Sequence, residues 1–158
     1  MSLARYCQDK RVVIQNSRSS AYEAARALES NHVGAIAVQE EGRLVGLLTD
    51  RDLALRVIGL ELDPKQTLLH DIMSPEPVTL SPEDSEQQAI MLMRARHVRR
   101  IPIVEDGRIV GIVTLDDLLL TGSVDRATAA SIIEAQLAEP SELKPPGVPH
   151  PVPGRTTH

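Results

Sequence analysis

The sequence predicts an α+β fold built from two β-α-β-β-α repeats, followed by a C-terminal helix and a disordered tail. Three observations carry this. First, the chain repeats itself without a gap: His32-Val33 matches His97-Val98, Gly42-Arg43-Leu44-Val45-Gly46 matches Gly107-Arg108-Ile109-Val110-Gly111, and Thr49 matches Thr114, a shift of 65 residues each time (97 − 32, 107 − 42, 114 − 49). Between Val12–Leu55 and Pro77–Leu120, 15 of 44 aligned positions are identical. Second, both copies place a serine ahead of a helical apolar pattern. Third, both place an acidic-Gly pair between two short apolar runs. Repeated units of this kind stack to bury faces that neither buries alone.

The elements follow in order. Val12–Gln15 and Val78–Leu80 read as short opening strands. Ser20 with Glu23, and Ser85 with Gln88, fit the capping box that starts a helix. Ala24, Ala25 and Leu28, and then Ala89, Ile90, Leu92 and Met93, continue each with helical periodicity. Gly34–Val38 and Arg100–Val104 are apolar runs too short for helices. Glu41-Gly42 and Asp106-Gly107 close them with residues suited to the positive backbone angles of a tight hairpin. The partner strands are Arg43–Leu48 and Arg108–Val113, which lead through Thr49 and Thr114 into helices over Asp52–Val57 and Asp117–Leu120.

The chain divides into a lead-in (1–11), repeat 1 (12–59), a linker (60–76), repeat 2 (77–121), a helix (122–138) and a Pro-rich tail (139–158). In the linker, Thr67–Met73 fits a short helical turn burying Leu68, Leu69, Ile72 and Met73. In the C-terminal helix Ala127, Ala130, Ile132, Ile133 and Leu137 form the predicted packing stripe. Six of the eleven prolines fall after Glu139 with little apolar to anchor them, so the tail is predicted disordered or polyproline-like.

Composition narrows the function. With 158 residues the chain buries a sizeable core of Ile, Val, Leu, Ala and Met. It has no Phe or Trp and two Tyr, so base-stacking platforms are missing, and a formal charge of −5 opposes a phosphate backbone. Nucleic-acid binding is disfavoured. Cys7 is the single cysteine, Met1–Arg11 lacks the apolar centre of a signal peptide, and no apolar stretch reaches membrane-spanning length. A cytoplasmic, soluble protein with no membrane partner is expected. The five histidines and Cys7 show no zinc spacing, and His32 and His97 read as helix-end residues.

The duplicated unit, Asp71-Ile72-Met73-Ser74 ahead of the second copy, Arg99-Arg100-Ile101-Pro102-Ile103-Val104, and Gly-x-x-Thr-x-x-Asp in both copies resemble a tandem pair of CBS domains, a Bateman module. The resemblance covers Val12 to Leu120. It implies two copies related by a pseudo-twofold axis, two clefts between them for adenosine-containing ligands, and a flat homodimer. It also implies that the motif threonine and aspartate touch phosphate and ribose, and that the strand before the hairpin lines the base pocket. Such pairs serve as regulatory parts of larger enzymes or transporters. A stand-alone pair would act in trans on a separate protein target.

Chemistry agrees with those roles. Thr49 and Thr114 lie where a strand turns into a helix, so hydroxyl and free amides can meet a phosphate or ribose oxygen. Asp52 and Asp117 are acceptors for the ribose hydroxyls. Ile36, Val38, Ile101, Pro102 and Ile103 offer an apolar sandwich for adenine. Arg51, Arg99 and Arg100 are the cations available to a polyanionic ligand. Arg99, Arg100 and Pro102 stand where the first copy has Gly34, Ala35 and Ala37, so the two clefts are predicted to differ. The same Thr-x-x-Asp residues also fit plain helix capping.

No nucleophile with a base, Walker loop or Rossmann glycine pattern occurs, and catalysis is not expected. The expected function is a regulatory module binding AMP, ADP, ATP or S-adenosylmethionine, with no obligatory cofactor or metal. The alternative is a dimerisation or interaction module without a nucleotide.

Overall fold

The computed structural model describes residues 1–7 and 12–138. The tail predicted over 139–158 and part of the lead-in lie outside these. Repeat 1 comprises β1 (Ile14–Asn16), α1 (Ala21–Asn31), β2 (Ala35–Glu40), β3 (Arg43–Thr49) and α2 (Asp50–Leu53), which runs on into a π turn over Ala54–Ile58. The linker supplies α3 (Leu69–Ile72) and β4 (Ser74–Pro75). Repeat 2 comprises α4 (Glu86–Arg96), β5 (Arg100–Glu105), β6 (Arg108–Thr114) and α5 (Leu115–Leu120), and α6 (Arg126–Ala138) follows.

The two hairpins are built alike. Ala35 pairs with Thr49 and Glu40 with Arg43, while Arg100 pairs with Thr114 and Glu105 with Arg108. Even the irregularity recurs, between Val38 and Gln39 and between Ile103 and Val104. The turns have the expected positive φ, 48° and 77° at Glu41 and Gly42, and 51° and 79° at Asp106 and Gly107. Ser20 and Ser85 close full capping boxes with Glu23 and Gln88, and His32 and His97 end α1 and α4 in the left-handed region. The Leu44 N–H donates to the Gly107 carbonyl at 3.1 Å, joining one hairpin to the other.

Where the copies diverge, one residue explains it. In repeat 1 the opening strand lies one to two residues later than expected and runs parallel to β2, and the Ala37 N–H donates to Val13 O at 2.9 Å. The matching residue in repeat 2 is Pro102, which has no N–H to give. The strand expected over Val78–Leu80 therefore shrinks to a single bridge between Leu80 and Ile103. The sheets are accordingly unequal: four strands in the order β1-β2-β3-β4, and a two-stranded β5-β6 hairpin.

Each copy has its own core. Ile36, Val38 and Leu48 pack with Ala24, Leu69 and Ile72 in the first, and Ile101, Ile103 and Val113 pack with Met93, Leu118 and Ile132 in the second. On α6 the buried residues are Ala129 and Ile132, whereas Ala127 and Ala130 are exposed and Leu137 is 74% exposed. The predicted stripe is thus rotated: Ile132 and Ile133 belong to it, and Ala129 replaces its flanking alanines. Small alanines carry little apolar signal to orient such a helix.

The lead-in and linker are not spacers. Linker residue Leu69 donates its N–H to Ser19 O, and Thr67 O accepts from Ala21 N, seating α3 on repeat 1. In the same way Leu3 donates to Asp84 O and Met1 O accepts from Glu86 N, which seats the 3₁₀ turn Leu3–Tyr6 on repeat 2. Leu3 and Leu69 are both fully buried. Each copy is therefore completed by the segment that precedes the other.

The N-terminal segment has a polar anchor that its counterpart lacks. Glu86 is buried and accepts from the Tyr6 hydroxyl at 2.7 Å, the Ser123 hydroxyl at 2.6 Å and Arg5 Nη1 at 3.4 Å. Burial alone raises its pKa, but the hydrogen bonds from Ser123 and Tyr6 and the nearby Arg5 outweigh it and hold the carboxyl below its ordinary value. Burial and the Glu86 hydrogen bond push the Tyr6 phenol up.

Tyr6→Phe is expected to lower unfolding free energy in urea by about 1.5–3 kcal/mol, the range for a hydrogen bond to a charged group. Because the folded pKa of Glu86 is depressed, its contribution is complete above the unfolded value of about 4.3 and is lost as pH falls through the folded one. The stability gap between the parent and Glu86→Gln should therefore narrow below about pH 4. A gap independent of pH would show that the carboxylate charge is not what is being held.

Candidate functional site

The two Thr-x-x-Asp corners form because a strand must turn into a helix whose first amides lack partners. Asp52 N–H donates to Thr49 Oγ1 at 3.1 Å and Thr49 N–H to Asp52 Oδ2 at 2.9 Å. In the second copy, Asp117 N–H donates to Thr114 Oγ1 at 3.2 Å, and Thr114 N–H donates to Asp117 Oδ2 at 2.8 Å. The Thr114 hydroxyl also donates to that oxygen at 2.7 Å. Both corners are thus capping boxes. A further bond fixes each against the entrance of its own hairpin: Asp50 N–H to Gly34 O at 3.2 Å, and Leu115 N–H to Arg99 O at 2.8 Å.

A cleft of about 650 Å³ opens between the copies. Repeat 2 contributes Thr114, Asp116 and Asp117 from its corner and Arg99 and Arg100 from its strand entrance. Repeat 1 contributes the small-residue start of β2, Gly34 to Ala37, with Val12 and Val13 beside it. Leu47 and Ile112, matched across the repeat, meet in the lining, and His32 stands at the end of α1. A Cβ added to Gly34 would lie 3.7 Å from Arg100 Nη1 and 3.8 Å from Asp50 Oδ2, so the Arg100 guanidinium sits over this glycine. Apolar walls, two cations and two carboxylates converge on one space. That combination suits a ligand with a flat apolar part, hydroxyls and an anionic group.

Of the residues expected to bind, this cleft gathers Thr114, Asp117, Ile36, Arg99 and Arg100. Thr49, Arg51 and Asp52 lie at the other corner. There Asp52 Oδ1 is 3.6 Å from Arg56 Nη2, and Arg56 also donates to Ile72 O at 2.8 Å and Ser74 Oγ at 3.1 Å. Ile36, Val38, Ile101 and Ile103 have no exposure and serve the cores, so Ile36 borders the cleft without offering it a free side chain, and Pro102 is buried opposite Ile112. The alternation of a strand explains this, since residues two apart share a face. Gly34, Ala35, Ala37 and Asp116 were missed as lining. Their signal was in the sequence as a difference in side-chain size between the copies, read there for charge only.

Among the described residues no group of three or more His, Cys, Asp or Glu is placed to hold a metal ion, and no helix is long and apolar enough to cross a membrane.

Duplicated hairpins with matched registers, capped corners and a cleft between the copies define a paired CBS module, and the chain belongs to the CBS domain family, whose model matches residues 10–59 and 69–122. CBS-domain proteins are generally regulatory rather than catalytic. The chain is 36% identical over 132 residues to the CBS domain-containing protein YhcV of Bacillus subtilis, covering 84% of this chain and 94% of that one. A CBS domain protein of Thermoplasma acidophilum superposes with a TM-score of 0.77 at 23% identity, over 88% of this chain and 78% of that one. The CBS domain pair of protein MJ0100, solved in complex with 5′-methylthioadenosine and S-adenosyl-L-methionine, superposes with a TM-score of 0.68 at 24% identity, over 78% of this chain and 98% of that one.

Arg56→Ala removes a half-buried cation that ties α2 to the linker, and should cost about 1.5–3 kcal/mol of stability in chemical denaturation. Thr121→Ala, at the matched position of repeat 2, should cost less than about 1 kcal/mol. Equal losses would mean that Arg56 contributes no more than surface packing.

Proposed function

We propose that this protein is a regulatory sensor that binds an adenosine-type nucleotide between its CBS repeats and signals to a separate protein in trans. The observation that carries the reading is the cleft itself, which joins the Thr114–Asp117 corner of one copy to the Gly34–Ala37 strand of the other. In this reading Asp117 accepts from the ribose hydroxyls, Arg99 and Arg100 meet an anionic group, and Val12, Val13 and Ala35 pack on the adenine. The adenosine compounds held by the MJ0100 pair support the ligand class. AMP, ADP, ATP and S-adenosylmethionine are the candidate ligands, with no catalytic step and no obligatory cofactor.

A ligand touching both copies fixes their relative placement, and it shifts a conformational equilibrium only by its differential affinity for the two arrangements. The protein is further proposed to be a cytoplasmic homodimer without nucleic-acid or membrane partners. Exposed Met91 on α4, Leu120 on α5 and Leu137 on α6 offer apolar contacts. A second reading, an interaction module with empty clefts, has one observation in its favour: the corner residues are already engaged in capping.

Melting with AMP, ADP, ATP, S-adenosylmethionine and NAD separates the two. A ligand at 100 times its dissociation constant adds about 2.7 kcal/mol to the folded state, an upward shift that an empty module does not show. Asp117→Ala should then weaken binding by about 1.5–3 kcal/mol in titration calorimetry. Replacing Arg99 and Arg100 by Gly and Ala should reduce affinity for ATP more than for adenosine; equal losses would assign them to shaping the strand. Sedimentation showing only a 17.3 kDa monomer at tens of micromolar (about the range expected for a weak dimer) would remove the homodimer.

A further inference from the structure

We infer that the N-terminal segment, residues 1–7, is the output element of this sensor: a filled cleft tightens its seat on repeat 2, and Glu86 is the positioning residue that joins the two. This rests on the nucleotide reading above and adds the part of the chain that responds to it.

The segment is attached to the cleft by three routes. The first runs through α5. Asp117 lines the cleft in the first turn of this helix, and its carbonyl accepts from Thr121 N–H at 2.9 Å at the other end. The Thr121 and Ser123 hydroxyls lie 2.9 Å apart, Ser123 donates to Glu86 Oε2 at 2.6 Å, and the Tyr6 hydroxyl donates to Glu86 Oε1 at 2.7 Å. Polar contacts thus run unbroken from the cleft wall to the segment. Apolar packing takes the same course, since Leu115 and Leu118 of α5 share a core with Leu3 and Tyr6.

The second route is β6. Ile112 lines the cleft, and a Cβ added to its neighbour Gly111 would fall 2.8 Å from Tyr6 O, so the segment lies directly on this strand. The third is the chain itself: Val12 and Val13, which repeat 1 contributes to the cleft, follow Cys7 by only five and six residues. A ligand that holds both walls therefore holds both attachments of the segment.

Repeat 1 has a tie of the same kind made from different residues. There Arg56, in the turn that continues α2, pairs with Asp52 and donates to Ile72 O and Ser74 Oγ of the linker seated on that copy. The residues matched to Arg56 and Glu86 are Thr121 and Ala21, so neither tie is a copy of the other. In each repeat one charged side chain joins the corner helix or the turn after it to the exchanged segment. The tie at Glu86 is made or broken rather than stretched, because a buried carboxylate that loses a donor keeps its full desolvation cost.

Hydrogen exchange of the full chain, read residue by residue with AMP or S-adenosylmethionine at a concentration shown by titration calorimetry to saturate it, tests the inference. The probe is the Leu3 N–H, which donates to Asp84 O at 2.8 Å; the control is the Leu69 N–H, which donates to Ser19 O at 2.9 Å in the matched seat on repeat 1. Ligand should slow exchange at Leu3 by about fivefold or more relative to Leu69, the lower end of ordinary couplings between sites. Ser123→Ala cuts the tie at the α5 end and Tyr6→Phe at the segment end, and in each the slowing should fall below about twofold. A merely structural role for these hydroxyls would speed exchange equally with and without ligand and leave the ratio as it was. Unchanged exchange at Leu3 in the saturated parent, equal slowing at Leu69, or undiminished slowing in both variants would each overturn the inference while leaving the nucleotide reading intact. Absence of saturable binding to either compound would remove both.

Discussion

The exchange of flanking segments is the constraint on which the rest of the molecule depends. Neither CBS copy is whole within its own repeat. Leu69 and Ile72 of the linker fill the core of the first, and Leu3 and Tyr6 of the N-terminus fill the core of the second. Backbone pairing of Thr67 and Leu69 with Ala21 and Ser19 is mirrored by Met1 and Leu3 with Glu86 and Asp84. Because each filling segment precedes the opposite copy, the chain crosses between the halves twice, and the cleft lies at the place where they are held together. Burying a fully exposed leucine contributes about 1.5–3 kcal/mol, so a slipped segment leaves a substantial hole in its host.

The two exchanges are chemically different. On repeat 1 the contact is apolar, with Ala21 and Ile72 buried. On repeat 2 the matched position of Ala21 is Glu86, a buried carboxylate satisfied by Tyr6, Ser123 and Arg5. A buried charge with partners costs much more to break than to build, because removing one partner leaves the other desolvated. Glu86 thus specifies which segment belongs on which half, while Leu3 and Leu69, alike in size, do not discriminate.

Most local structure was legible because it is dictated by nearest neighbours. The serine and threonine boxes, the positive-φ turns at Gly42 and Gly107 and the histidine helix ends depend on residues within a few positions, and all occur as the sequence indicates. The segment exchange was hidden for a simple reason. Met1–Cys7 and Thr67–Met73 correspond at a shift of 66 rather than 65 and share only Leu3 and Leu69, so the repeat pattern appears to stop short of them. The lost strand at Val78 was in principle readable, since Pro102 withholds the N–H that Ala37 supplies. Of the candidate site, the Thr114–Asp117 corner and both arginines were visible. The division of apolar residues into lining and core was not, because it depends on which face of β2 and β5 meets the other copy.

Duplication followed by divergence accounts for the shape of the cleft. A perfectly symmetric pair would present the same small or the same large residues on both sides of the axis, giving two open sites or two obstructed ones. Here one copy keeps glycine and alanine at the strand entrance and the other carries arginines. The Arg100 guanidinium lies over Gly34, and the contact related to it by the repeat would set Ala35 against Arg99, so the cation over a glycine has no equivalent on the other side of the axis. At the first corner Arg56 pairs with Asp52 and fixes α2 to Ile72 and Ser74 of the linker. One half is thereby anchored through its own side chains. The other meets it across the cleft that Gly34 and Thr114 line from opposite copies, so the contact between the halves is carried there by side chains that differ between the repeats.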